Sequence, residues 1–204
     1  MRILLSADWH NPPDGLRDYA LKFLALPADA RYALGDTLDF YVNYWWDYFD
    51  SLTIREMKIS QLFLVPGNHD PLSQLRKLLG DKVLGWEVRL GVYHLSHGHR
   101  WSDWALWRYL TPFLLKVAPS IYIKFAGKPS HLKNNKEAYD RMVHFMWSNA
   151  LRQSKGRYIP IFGHSHADAF LADDRRPLMV NIGSLRDDGT YLVIEEDKIW
   201  LERL

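Results

Sequence analysis

The chain contains no cysteine, which excludes disulfides, thiolate metal sites and cysteine nucleophiles. No apolar run approaches the ~18 uninterrupted residues that a spanning helix needs. The apolar stretch at residues 3–7 is too short for a signal peptide and runs directly into Asp8. Internal repeats and low-complexity tracts are lacking as well. So is an excess of one charge: 26 Lys and Arg stand against 24 Asp and Glu, a net +2 with His neutral. That balance makes no nucleic-acid requirement evident. The expected location is cytoplasmic. What remains is 48% hydrophobic and 25% charged over 204 residues, the profile of a single globular domain spanning 1–204.

Short apolar runs alternate with helical patterns, which points to a layered α/β fold. The runs at 3–7, 32–34, 62–65, 92–95 and 158–162 each lead within two residues into Asp, His or Gly. Further strands are expected at 178–182, 191–194 and 198–201, the last two paired through a turn at Asp197. The stripe Leu16, Tyr19, Ala20, Phe23 and Leu24 predicts a helix over 16–26 that stops before Pro27. Asp70 and Pro71 predict another helix start, with Asp70 as its cap and Gly80 as its stop. Ser130 predicts the cap of a long helix reaching about Ser154 and ended by Gly156. Residues 101–130 are aromatic, basic and broken by Pro112, Pro119 and Pro129. They read as short helices inserted between core strands, so a helical insertion is expected over about 100–156.

Five segments carry the chemistry: Asp8-Trp9-His10, Gly35-Asp36-Thr37-Leu38-Asp39, Gly67-Asn68-His69-Asp70, His97-Gly98-His99 and Gly163-His164-Ser165-His166. Ligands of open α/β sheets bind beyond the carboxyl ends of the strands, so all five are expected to converge on one edge. The one-residue spacing in Asp8/His10 and His164/His166 puts both side chains of a pair on one side of an extended segment. Each pair is then expected to grip one ion. Carboxylate, imidazole and amide donors without sulfur suit Mn²⁺, with Fe or Zn²⁺ as alternatives. An Asp reached by both of two ions ~3.5–4 Å apart can bridge them, and such a pair activates water against a phosphoryl group. Taken singly, each segment has an ordinary reading as a capped strand end, a Gly-Asp turn, an Asx turn or a solvated loop. In series, each at a strand end, they do not. His94 and His144 are read as structural.

The series resembles the calcineurin-like metallophosphoesterase family, whose blocks D-x-H, G-D-x-x-D, G-N-H-[DE], H and G-H-x-H all occur in order over residues 8–166. The resemblance implies an α/β fold, a four-layer α-β-β-α sandwich with the site at the strand ends and the insertion as a helical lid. It implies two divalent metal ions. Asp8, His10, Asp36 and His166 would hold one; Asp36, Asn68, His97 and His164 would hold the other, with Asp36 bridging. It further implies that a metal-activated hydroxide attacks phosphorus while His69, oriented by Asp39, protonates the leaving oxygen. Histidine suits that task because it titrates near neutrality. The reaction expected is hydrolysis of a phosphoester or pyrophosphate bond.

The insertion bears on the substrate. Trp101, Trp104, Trp107, Tyr109 and Phe113 are interleaved with Arg100, Arg108, Lys116 and Lys124. Apolar side chains among cations suit a molecule with acyl chains and phosphates, or peripheral contact with an anionic membrane face. A small cap burying its own aromatics is the plain alternative. The arrangement also resembles the UDP-2,3-diacylglucosamine hydrolase subgroup, with Ser130, Asn134 and Lys136 as expected substrate contacts and His99 facing substrate. That subgroup, which acts in lipid A biosynthesis, carries Arg where this chain has His69 and H-G-D where it has His97-Gly98-His99. The alternatives are a general phosphomonoesterase, a cyclic-nucleotide or nucleic-acid phosphodiesterase, and a non-enzymatic scaffold of the same fold. Retention of every family ligand argues against the last.

Overall fold

The computed structural model describes residues 1–11, 16–38, 51–70, 72–102, 136–173 and 176–204. Asp39, Ser130, Asn134 and the aromatics of 103–125 lie outside the described residues.

Among the described residues, ten strands form two five-stranded sheets. The first has the order β10-β9-β1-β2-β3, made of β1 (Arg2–Ser6), β2 (Ala30–Leu34), β3 (Leu62–Val65), β9 (Thr190–Glu195) and β10 (Lys198–Arg203). The second has the order β4-β5-β6-β8-β7, made of β4 (Glu87–Leu90), β5 (Tyr93–Ser96), β6 (Ile159–Phe162), β7 (Asp168–Ala172) and β8 (Pro177–Ile182). Each sheet contains a parallel trio, β1-β2-β3 in one and β5-β6-β8 in the other. The flanking strands run antiparallel. The α-helices among the described residues are α1 (Asp18–Ala25), α2 (Ser51–Ile59), α3 (Leu72–Leu79), α4 (His99–Ser102), α5 (Lys136–Ser154) and α6 (Leu185–Asp188).

Alternation along the strands builds the layers. Ile3 and Leu5 of β1, Leu192 and Ile194 of β9, Ile159 and Ile161 of β6, and Val180 and Ile182 of β8 pack into one cluster between the sheets. Each fully buried aliphatic of this kind contributes about 1.5–3 kcal/mol. Their neighbours face outward. Leu4, Tyr191 and Val193 join Ala20 and Phe23 of α1, Met57 of α2 and Leu75 of α3. Phe162 and Met179 join Trp101, Met146 and Ala150. The result is the expected α-β-β-α sandwich. α5 is therefore the outer layer of the second sheet over its described length. Trp101, read from sequence as part of a substrate-facing aromatic set, is buried there, edge-on to Phe162 at 4.9 Å and hydrogen-bonded to Gln153 Oε1.

Three differences from the sequence reading have physical causes. β4 and β7 are edge strands with polar-apolar alternation or small residues, so a search for apolar runs passes over them. α2 follows residues outside the described set and has no uninterrupted apolar stripe. Asp70 does not serve as a simple helix cap. Its carboxylate accepts the backbone N–H groups of Thr37 and Leu38 at 2.7 and 2.9 Å.

Candidate metal centre

The carboxyl ends of β1, β2, β3, β5, β6 and β8 lead into Asp8, Asp36, Asn68, His97, His164 and the 183–188 segment respectively. Those ends meet. Backbone N–H groups of Asp8 and His10 donate to the carbonyls of Gly35 and Asp36 at 3.1 and 2.7 Å. Gly163 N donates to the His97 carbonyl at 3.1 Å, and Leu185 N to the Ala7 carbonyl at 2.9 Å. Trp9 anchors the first loop. Its ring is buried against Phe23 on the helix side, and its Nε1 donates to Ser6 Oγ at 2.8 Å, which leaves Asp8 and His10 facing the centre.

Five donor-bearing residues have positive φ: Asp8 (54°), His10 (47°), Asp36 (49°), His164 (69°) and His166 (55°). Asp and His tolerate this left-handed region better than most residues. Such positions nevertheless cost about 1–3 kcal/mol each and persist where surrounding contacts over-determine them. The extended spacing argued from sequence is therefore corrected. Those five donors sit beyond the strands, at left-handed backbone positions. The pairing argued from spacing changes with it, because His164 and His166 fall into different clusters, the division that the family resemblance implies.

One cluster comprises Asp8, His10 and His166, and another Asp36, His97 and His164; a third grouping joins His10, Asp36 and His69. Asp36 Oδ2 lies 3.3 Å from His97 Nε2, 3.9 Å from His10 Nε2 and 4.0 Å from His69 Nε2. Asp36 Oδ1 accepts from His69 N at 2.8 Å, so one oxygen fixes the carboxylate and the other faces the donors. Burial alone would raise the Asp36 carboxyl; His97, His69 and His10 hold it well below the usual range. Burial would lower His97, yet Asp36 foremost, with Asp8 and the Leu34 carbonyl, brings it up to about 9. Burial and the His97 charge push His164 well below its ordinary value. Burial, then the Asp36 charge, push Asp70 up to about 7 against its two backbone N–H donors.

The donor geometry fits a cation. Three acceptors crowd His97 Nε2: Asn68 Oδ1 at 3.0 Å, His164 Nδ1 at 3.2 Å and Asp36 Oδ2 at 3.3 Å. One proton cannot serve three acceptors, whereas a cation among them serves all four atoms. Donors ~2.0–2.2 Å from a tetrahedral ion stand about 3.3–3.6 Å apart. His97 Nδ1 is fixed by the Leu34 carbonyl at 2.8 Å, which turns Nε2 inward. In the other cluster Asp8 Oδ2 accepts from His164 N at 2.8 Å, while Oδ1 is buried without a hydrogen bond and faces His166 Nε2 at 3.5 Å. A carboxylate oxygen so placed suits a metal ligand. His69 is the more open member, its side chain 28% exposed, with its ring edge-on to His10. His99 stands beside this donor set, its ring 5.4 Å from His97 and 5.6 Å from Trp86. Lys136 opens α5.

The site required residues that the sequence reading missed. His166 Nδ1 meets Asp187 Oδ2 at 2.6 Å. Ser184 Oγ donates to the Asp8 carbonyl and accepts from Asp187 N at 3.1 Å. The spacing Ser184-x-x-Asp187 is a capping signature that could have marked this short helix. The glycines also take part. A Cβ on Gly67 would lie 2.1 Å from Asp36 Oδ1 and 2.3 Å from Asp36 N. Gly67→Ala should therefore displace the Asp36 loop at about 1–3 kcal/mol, lowering the melting temperature by ~2–4 °C per kcal/mol. An unchanged melting temperature would show that the loop yields freely.

The calcineurin-like phosphoesterase family profile matches residues 1–181. A search of curated proteins finds no match. Among solved structures, a Vps29 single mutant from Entamoeba histolytica is similar at 15% identity and TM-score 0.47, covering 100% of this chain and 98% of that one. Vacuolar Protein Sorting 29 from Cryptosporidium parvum is similar at 13% identity and TM-score 0.48, covering 98% and 95%. The Thermotoga maritima protein TM1076 is similar at 20% identity and TM-score 0.43, covering 100% and 99%. With that profile spanning most of its length and its metal-binding donors gathered at the strand ends, the chain belongs to the calcineurin-like phosphoesterase family.

Proposed function

We propose that this chain is a metal-dependent hydrolase of phosphoester or pyrophosphate bonds working with two divalent ions, Mn²⁺ first among the candidates and Fe or Zn²⁺ next. One observation carries the reading: Asp36 Oδ2 faces donors of both clusters, His10 on one side and His97 on the other. Asp8, His10, Asp36 and His166 are assigned to one ion; Asp36, Asn68, His97 and His164 to the second. Ions held there polarise a phosphoryl oxygen and acidify a water molecule. The chain supplies the rest. Asp8 and Asp36 bring the negative charge that favours cations in a buried cradle, and the backbone hydrogen bonds hold the donors before substrate arrives. His69 is assigned the proton that the leaving oxygen takes up, with Asp39 as the carboxylate that orients it. Its partial exposure lets a substrate reach Nε2.

The finer substrate reading is a phosphorylated molecule with a lipid portion, of the UDP-2,3-diacylglucosamine type, and hence a pyrophosphatase of lipid A biosynthesis. It rests on the aromatic and basic residues of 104–136 and on Ser130, Asn134, Lys136 and His99 as contacts. It would place the protein at the cytoplasmic membrane face. Among the described residues no helix is long and apolar enough to cross a membrane, so the contact proposed is peripheral. His69, where that subgroup carries Arg, favours the broader reading of a general phosphomonoesterase or phosphodiesterase. The test is hydrolysis of p-nitrophenyl phosphate, bis-p-nitrophenyl phosphate and UDP-2,3-diacylglucosamine with added Mn²⁺ and with chelator. Metal-dependent turnover of at least one is expected, and the preferred one selects the substrate reading. A metal-loaded chain inert towards all three would overturn the enzyme and favour a scaffold.

A further inference from the structure

We propose that Asp187 is a positioning residue that governs one ion position, the Asp8–His10–His166 cluster, and leaves the other untouched. The inference rests on the two-ion reading above. His166 Nδ1 and Asp187 Oδ2 are 2.6 Å apart. A nitrogen so close to a carboxylate oxygen carries the proton and donates it. In its neutral form the ring then keeps its lone pair on Nε2, the nitrogen that faces Asp8 Oδ1 at 3.5 Å. Asp187 thus selects the tautomer that can bind an ion and adds a negative charge behind it.

The two positions are supported differently. In the Asp36–His97–His164 cluster, the corresponding hydrogen bond runs from His97 Nδ1 to the carbonyl of Leu34. That partner is backbone, carries no net charge and cannot be removed by substitution. In the Asp8 cluster it is a side-chain carboxylate on α6. The same short segment also holds the Asp8 loop, through Leu185 N to the Ala7 carbonyl at 2.9 Å and Ser184 Oγ to the Asp8 carbonyl at 3.3 Å. Asp187 and Asp8 therefore share one framework and approach His166 from its two nitrogens. Arg186 Nε stands 3.8 Å from Asp187 Oδ1, on the oxygen that His166 does not use. Outer partners of this kind typically change metal affinity by ~10–100-fold.

The experiment is Zn²⁺ titration with a competing chelator on the full chain, together with ¹⁵N NMR of the histidine rings in the metal-free protein. Wild type is expected to take up two Zn²⁺. Asp187→Ala should keep one at wild-type affinity and weaken the other by ~10–100-fold, and the His166 ring should lose its Nδ1–H signature. Asp187→Asn retains an acceptor oxygen, so it should keep the tautomer while weakening the same ion. Asp188→Asn, an exposed neighbour on α6, should change neither reading. Equal weakening of both ions, unchanged binding, or an unchanged His166 ring in Asp187→Ala would each overturn the inference. A wild type that binds fewer than two Zn²⁺ would overturn the two-ion reading and this inference with it, a result separable from the others because it appears before any substitution.

Discussion

Asp36→Asn should abolish stable uptake of both divalent ions and lower turnover by at least ~10³-fold, since charge stabilisation of several kcal/mol is at stake and each 1.4 kcal/mol is tenfold. The geometry explains why so small a change is so costly. Asp36 Oδ1 accepts from His69 N at 2.8 Å, and an Asn oxygen can keep that bond. Its amide nitrogen then replaces Oδ2, the atom that faces His97, His10 and His69 at 3.3–4.0 Å. A neutral donor group stands where an anionic acceptor is needed, and no second oxygen is left to reach the other cluster. The hydrogen bond holding the 67–69 loop survives, so the fold should persist. Metal content by elemental analysis, turnover and a thermal melt check this together. Ions retained at wild-type stoichiometry, or turnover within tenfold of wild type, would remove Asp36 from the centre of the reading.

His69→Ala is expected to separate chemistry from metal binding. General acid catalysis contributes ~10²–10⁴-fold, so turnover should fall by that amount while both ions remain. His69 Nε2 is the farthest of the three imidazole nitrogens from Asp36 Oδ2, at 4.0 Å, and its side chain is the one open to solvent, 28% exposed against 0% for His97. That is the placement of a group that meets substrate. A leaving-group series gives the sharper readout. Alkyl phosphates need a proton on the departing oxygen and should show the full loss; nitrophenyl phosphates leave readily as anions and should lose much less. An equal loss for both, together with reduced metal content, would make His69 a ligand instead. Unchanged turnover would remove it from the mechanism.

Much of this centre was legible in the sequence because its parts are local. An apolar run ending at Ala7, Leu34, Val65 or Phe162 marks a buried strand, and the polar residues just beyond each run mark its carboxyl end. The residue types restrict the chemistry to hard or borderline cations. The local argument failed where the backbone leaves regular structure. Asp8, His10, His164 and His166 have positive φ, so the period-two rule no longer says which way their side chains point. Asp70 looked like a helix cap, and its carboxylate is bonded to Thr37 and Leu38 instead. β4 and β7 escaped notice because edge strands need no continuous apolar run.

The sequence by itself determined the donor inventory, the strands that carry the donors and their place at carboxyl ends, since hydrophobic periodicity and turn chemistry are short-range properties. Spacing alone left open which donors share a cluster; the family resemblance divided them, and the tertiary structure shows the contacts that do so. His164 N reaches Asp8 Oδ2 across 156 residues of chain, and His164 joins Asp36 and His97 while His166, two residues on, joins Asp8 and His10. Only the tertiary structure decided that Asp187 stands behind His166. Those choices depend on how two sheets pack face to face and bring the carboxyl ends of six strands together, and neither spacing nor composition encodes that arrangement locally.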